Sequence, residues 1–292
     1  MGRGGALKGW HAWEWQEEQP APRMDWIVAE EPLEIRVAFP DEAADADFPV
    51  AVTMRTPGED EDLALGFLYT EGLIDDPDGF PRIRTERPAP NVLRVVVPSE
   101  IPFDRQRLTR HFSMTSSCGI CGKAAIEAVF AQGFPSLPED GPVIPAALLY
   151  ELPRRLEGAQ ALFRHTGGLH AAAVFDLEGR LLWLREDVGR HNAVDKVVGA
   201  ALREGRLPLH RALMLVSGRA GFEIVQKALR AGIPLLAAIG APSSLALELA
   251  QAAGMTVVGF LRGQRCNLYT APWRIQGGPA PQESPLSRIS PR

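Results

Sequence analysis

Cysteine is scarce in this sequence: three residues in 292, an odd number. That count does not suit a secreted disulfide framework, which needs more cysteines and an even number. Tyrosine is also rare, with three residues. No apolar run approaches the roughly 20 residues of a membrane span. The segment Met1 to Gln19 lacks the apolar stretch of a signal peptide, since Trp10, His11, Trp13, Glu14 and Trp15 mix rings with charge. Net charge is −5, which gives no reason to expect nucleic acid as a partner. There is no internal repeat, no second Cys-x-x-Cys and no His-x-Glu, so the zinc-deaminase signature is missing. What remains is a chain with 46% hydrophobic and 23% charged residues, the balance of a globular protein with a sizeable core. A reducing, cytoplasmic compartment is expected. There a close cysteine pair is more often catalytic or metal-binding than structural.

The pattern divides the chain into five parts. Residues 1–23, with Gly2, Gly4, Gly5, Pro20 and Pro22, are expected to form a flexible tail. Residues 24–110 read as a strand-rich α+β domain. Leu33, Ile35 and Val37 alternate with polar or small neighbours, and Val50 to Met54 and Val92 to Val97 are further strands. A helix is expected over Asp62 to Glu71, capped by Thr56 and ended by Gly72. Residues 111–165 carry the cysteine segment and a proline-punctuated connector that runs into a helix over Ala147 to Leu156.

Residues 166–275 alternate strand and helix. A hairpin over Ala171 to Phe175 and Leu181 to Leu184 precedes a helix capped by Asn192. Strands at Ala212 to Val216, Pro234 to Ile239 and Met255 to Phe260 are separated by helices at Phe222 to Arg230 and Ser243 to Ala253. This predicts a largely parallel sheet with helices on both faces. Residues 276–292 are expected to be a second flexible tail.

Chemistry concentrates first at Ser116-Ser117-Cys118-Gly119-Ile120-Cys121-Gly122-Lys123. A helix with Ile126, Val129 and Phe130 on one face is expected to follow, which puts Cys121 near a helix N-terminus. The unpaired N–H groups there and the Lys123 charge favour thiolate, the nucleophilic form. A buried structural pair, a zinc site, a disulfide exchanger and a persulfide-forming sulfur carrier all compete for this motif. The motif alone does not separate the last two.

Three loops follow predicted strands: Ser217-Gly218-Arg219-Ala220-Gly221, Gly240-Ala241-Pro242-Ser243-Ser244 and Arg262-Gly263-Gln264-Arg265. In open parallel sheets ligands bind beyond the carboxyl ends of the strands, where glycine lets backbone N–H groups approach a phosphate and arginine adds charge. Each loop alone is an ordinary turn; three at one edge form a candidate phosphate site. Arg185 to Asn192 reaches the same edge. His165 and His170 could serve a metal, but hydrogen-bonding structural histidines read equally well.

Ser116 to Lys123 and Ser217-Gly218-Arg219, with Thr56-Pro57-Gly58, Leu63 to Leu68, His165 to Ala172, Glu186 to Lys196 and Gly259 to Arg265, follow one another in an order that resembles the FdhD family of formate dehydrogenase accessory sulfurtransferases. The resemblance spans Ile35 to Thr270. It implies an α/β fold, with a cytidine-deaminase-like three-layer α/β/α domain lacking zinc chemistry beside the smaller N-terminal domain.

It also implies a cytoplasmic protein, usually a homodimer, that accepts sulfur from a cysteine desulfurase. The sulfur passes to a molybdenum bis(molybdopterin guanine dinucleotide) cofactor, a bound substrate destined for formate dehydrogenase, and no metal is held by the protein itself. By resemblance Cys118 is the persulfide carrier and Cys121 its essential neighbour, whereas the helix-end argument favours Cys121 as the more acidic thiol. Phe260, Leu261, Arg262, Gly263, Gln264 and Arg265 match the cofactor-binding segment, with Ser217, Gly218, Arg219 and His191 beside it. Cys266 departs from the family pattern and reads as a small apolar substitute. The alternatives are a thiol-disulfide oxidoreductase, which needs no nucleotide loops, and a cofactor chaperone, which needs no cysteines.

Overall fold

The structure, a computed structural model, describes residues 5–40, 47–105, 137–138 and 141–280. The cysteine segment, with Cys118 and Cys121, lies outside these residues, as does the second expected tail beyond residue 280. The fold is mixed α/β, built on three sheets.

The tail expected over 1–23 is instead an antiparallel hairpin of β1 (Leu7–Gln16) and β2 (Gln19–Val28). Glu17 and Glu18 form its two-residue turn, both at positive φ, as the primed hairpin turns require. Pro20 and Pro22 break no sheet here because β2 is an edge strand. Side chains alternate across such a ribbon. Leu7, Gly9, His11, Trp13 and Trp15 of β1 therefore share a face with their cross-strand partners Val28, Trp26, Met24, Pro22 and Pro20. The opposite face carries Lys8, Glu14, Arg23 and Asp25, and Arg23 pairs with Glu14 at 2.8 Å.

The second sheet has the order β4-β3-β6-β5, from β3 (Glu31–Ala38), β4 (Phe48–Arg55), β5 (Arg84–Ala89) and β6 (Val92–Val96). The alternation expected in β3 is present: Leu33, Ile35 and Val37 are fully buried. Helix α1 (Asp60–Thr70) begins two residues earlier than expected, with Asp60, Glu61 and Asp62 in its first turn, and Gly72 follows it at φ 70°. Thr56 does not cap it; its partners lie more than a hundred residues away, as shown below.

The third sheet has six strands: β7 (His170–Asp176), β8 (Leu181–Asp187), β9 (Ala212–Val216), β10 (Leu235–Ala238), β11 (Thr256–Arg262) and β12 (Arg265–Thr270). Their order is β12-β11-β10-β9-β7-β8. Only the β9–β10 and β10–β11 neighbours pair in parallel; the β12–β11, β9–β7 and β7–β8 neighbours are antiparallel. The sheet is thus mixed rather than largely parallel, because hairpin partners such as β7–β8 and β11–β12 must run antiparallel.

Both faces of this sheet are covered. Helices α4 (Arg190–Arg203), α5 (Phe222–Arg230) and α6 (Ser244–Ala252) pack on Ala172, Val174, Met214 and Leu236, in a core continuous with Leu33, Leu63 and Leu68 of the N-terminal part. On the other face Leu149, Leu152 and Leu156 of α2 (Ala146–Ala159) meet Phe175, Leu213, Leu215 and Val258. A single turn, α3 (Phe163–Thr166), precedes β7. Helix α1 crosses α4 closely, which joins the second sheet to the third.

Candidate functional site

The carboxyl ends of β9, β10 and β11 lie along one edge, and the loops after β9 and β10 and the end of β11 touch in sequence. Ser217 is fastened to the start of β7: its Oγ accepts from Ala171 N at 2.8 Å, and its own N–H donates to Ala171 O at 2.9 Å. Gly240 N donates to Gly218 O at 3.0 Å, and Phe260 N donates to Gly240 O at 3.1 Å. The spacing tolerates little. A Cβ on Gly240 would stand 2.9 Å from Gly218 O and 3.2 Å from Arg219 Cα, and one on Gly259 would stand 2.9 Å from Pro242 Cδ.

Phe260 sits at φ 53° beside a register shift in the β11–β12 pairing and is 43% exposed. A bulge with a left-handed residue re-aims a strand, and here it turns Phe260 outward at the end of an otherwise buried strand. Leu261, by contrast, is fully buried in the core on the α2 side, so its side chain is not presented to a ligand. Arg262, Gly263, Gln264 and Arg265 are exposed. They do not form an open loop. They are the tip of the β11–β12 hairpin, with Arg262 opposite Arg265 and Gly263 at φ 55°. Strand β12 was not foreseen, because its buried positions are few.

The first turn of α4 reaches the same edge. His191 Nε2 lies 2.9 Å from Glu223 Oε2 at the start of α5. The hydrogen bond from His191 holds the Glu223 carboxyl below the usual carboxylate range. His170, at the start of β7, stands beside Gly218, with Nδ1 3.4 Å from where a Cβ on that glycine would be. Burial pushes the His170 pKa down, and the charges of Arg190 and His191 push it further, so its neutral form is favoured. Among the described residues no cluster of His, Cys, Asp or Glu is arranged to hold a metal ion.

Beneath the edge lies a buried polar network that the sequence reading missed. Asp187, at the end of β8, and Lys196, on α4, are both fully buried and pair at 2.8 Å. Asp187 also accepts from Thr56 N at 3.2 Å, Gly189 N at 2.8 Å and Asn192 Nδ2 at 3.0 Å. Lys196 donates to Thr56 O at 3.0 Å, and Thr56 Oγ1 accepts from Val188 N at 3.1 Å. Asn192 therefore does not cap α4, whose cap position is Gly189; it spans Asp187 and the Met54 carbonyl. The signal was Asp195-Lys196, two charged residues set among Val194, Val197 and Val198 of the following helix. The network ties the segment before α1 to the loop that presents Arg190 and His191.

Among the described residues Cys266 is the one cysteine. It is half-buried against the α2-side core, and burial pushes its thiol pKa up, the reverse of what activates a nucleophile. Cys118, Cys121 and Lys123 lie outside the described residues.

Fold and edge together define an α/β protein whose mixed six-stranded sheet gathers three glycine-bearing segments above a buried ion pair. Residues 28–276 match the FdhD/NarQ family, and the chain belongs to that family. The sulfur carrier protein FdhD of Streptomyces avermitilis is 49% identical over 261 residues, 87% of this chain and 90% of that protein. The sulfur carrier protein FdhD of Sulfurisphaera tokodaii is 40% identical, over 89% of this chain and 95% of that protein. A crystal structure from Desulfotalea psychrophila, described as a candidate formate dehydrogenase accessory protein, superposes with a TM-score of 0.71 at 26% identity, over 92% of this chain and 99% of that one. Among the described residues no helix is long and apolar enough to cross a membrane.

Proposed function

We propose that this chain is a cytoplasmic sulfur carrier, acting as a homodimer, that loads sulfur on Cys118 with Cys121 as its partner and delivers it to a molybdenum bis(molybdopterin guanine dinucleotide) substrate for formate dehydrogenase. The observation that carries this reading is the loop-lined edge of the six-stranded sheet in a chain that also has Cys118-Gly119-Ile120-Cys121. A disulfide exchanger has no use for that edge, and a cofactor chaperone has no use for the cysteines.

In the loading step the Cys118 thiolate attacks the terminal sulfur of a persulfide on the desulfurase. The donor S–S bond breaks as the new one forms, and the donor cysteine leaves as thiolate, so the step needs no external oxidant or reductant. The edge suits the guanine nucleotide ends of the substrate. Backbone N–H groups of Gly218 and its neighbours, with Arg219, Arg262 and Arg265, supply what a diphosphate needs. Exposed Phe260 offers a ring to the flat parts of the ligand.

Intact mass and peptide mapping after incubation with a cysteine desulfurase and cysteine test the reading. One added sulfur atom on Cys118 or Cys121 is expected. Sulfur on Cys266 alone, or on no cysteine, would overturn the carrier mechanism.

A further inference from the structure

The β1–β2 hairpin is the part of the chain that the sulfur chemistry leaves unused. Most of it precedes the family match, which begins at residue 28. It is a two-stranded sheet with no third strand among the described residues, and such a ribbon is marginal in water unless one face is covered. Its two faces differ sharply. One carries the exposed Trp10 and Ile27 among charges already neutralised within the chain, Arg23 by Glu14 and Lys8 by Glu31. The other has no acidic or basic residue apart from His11, and on it Trp13 is 71% exposed, Trp15 70%, Trp26 53% and Met24 52%.

We infer that the Trp13, Trp15, Met24 and Trp26 face of the hairpin is a self-association surface, whose occupant is the same face of a second copy of this chain. The choice of occupant follows from chemistry and area. A face without charge selects no charged partner, and a two-fold axis matches an apolar patch to itself. The four side chains offer roughly 500 Å² per copy. Two copies face to face would bury about 1,000 Å², the size at which a specific interface begins. The base of the face is already anchored: Val28 Cγ1 lies 3.3 Å from the Cβ position of Gly168, so the ribbon is held at one end and presents the rest. This names a surface for the homodimer reading above and is independent of the sulfur chemistry.

The test is sedimentation velocity of the full chain over a range of concentrations, together with intrinsic fluorescence, since four of the six tryptophans stand on the hairpin. The expected result is association that rises with concentration and moves tryptophan emission to the blue. Trp13→Lys should weaken association at least tenfold, because each copy would bring an unpaired charge into the contact. Trp10→Lys, on the opposite face, should leave it unchanged and controls for folding. Association equal in Trp13→Lys and the unsubstituted chain would overturn the hairpin surface while leaving a dimer through another face. A monomer at every concentration would overturn both. An emission shift seen only with lipid vesicles would also overturn it. Sulfur loading of Trp13→Lys, read by intact mass, fails only if the carrier mechanism itself is wrong.

Discussion

Gly66 of α1 and Gly199 of α4 lie against each other's helix backbone. A Cβ on Gly66 would fall 1.8 Å from Asp195 O, and one on Gly199 would fall 1.8 Å from Asp62 O. No rotamer change relieves a clash with backbone, so the helices would have to part. Gly199→Ala is expected to cost at least about 2 kcal/mol. Urea unfolding measures this, and a midpoint shift small enough to match an ordinary glycine-to-alanine gain in a helix would refute the close crossing.

The Asp187–Lys196 pair makes a second prediction. Lys196→Met leaves a buried carboxylate with its other three donors but no cation, at a cost of about 3–5 kcal/mol. Asp187→Asn combined with Lys196→Met removes both charges and should recover much of that loss. Chemical denaturation of the single and double variants gives the coupling directly. Additive losses would mean that the pair acts as two separate anchors.

Acid should weaken the N-terminal part through Asp60. Burial alone would raise its pKa, but hydrogen bonds and charge from Arg55 (2.9 and 3.1 Å) and Arg87 (2.7 Å) outweigh it and hold the carboxyl below its ordinary value. A depressed carboxylate contributes stability that is complete above the unfolded value, about 4, and is lost as pH falls through the folded one. Asp60→Asn should therefore be less stable than the unsubstituted chain at neutral pH, with the gap closing as pH drops below 4. Stability curves that stay parallel across that window would contradict the ion-pair account.

Guanosine diphosphate is expected to bind at the edge formed by the loops after β9, β10 and β11. Calorimetry should show Arg219→Ala and Arg265→Ala each losing about 1.5–3 kcal/mol, the value of a charge-assisted contact. Undiminished affinity in both variants would move the nucleotide to another part of the surface.

Much of the fold was legible because apolar spacing is local. Helix α5 spans Phe222–Arg230, as its spacing predicts, and the continuous apolar runs gave β9 and β10 to within a residue. What escaped depends on distant partners. Thr56 looks like a cap by its neighbours, yet its bonds run to Asp187 and Val188. The hairpin was hidden because Gly4 and Gly5 lead into it, Pro20 and Pro22 interrupt β2 and almost nothing in either strand is buried, although the alternation was there to see. Of the candidate site, the three loops could be placed on one edge from strand order alone. That Leu261 faces the core while Phe260 faces outward could not, since a bulge shifts the alternation by one residue.

At the left-handed residue Phe260, β11 passes from a length paired on both sides to a length paired on one. Val257 and Val258 have hydrogen-bonded neighbours on both sides, so their position is dictated by the whole sheet. Past Leu261, which the α2-side core still holds, the strand has β12 alone for company and projects as a cantilever tipped by Arg262 and Arg265. Lengthening or shortening that cantilever would alter how far its charges extend without dragging the buried register along. How far the tip reaches and how firmly the sheet is packed are thus set by different residues, and each is free to vary without the other.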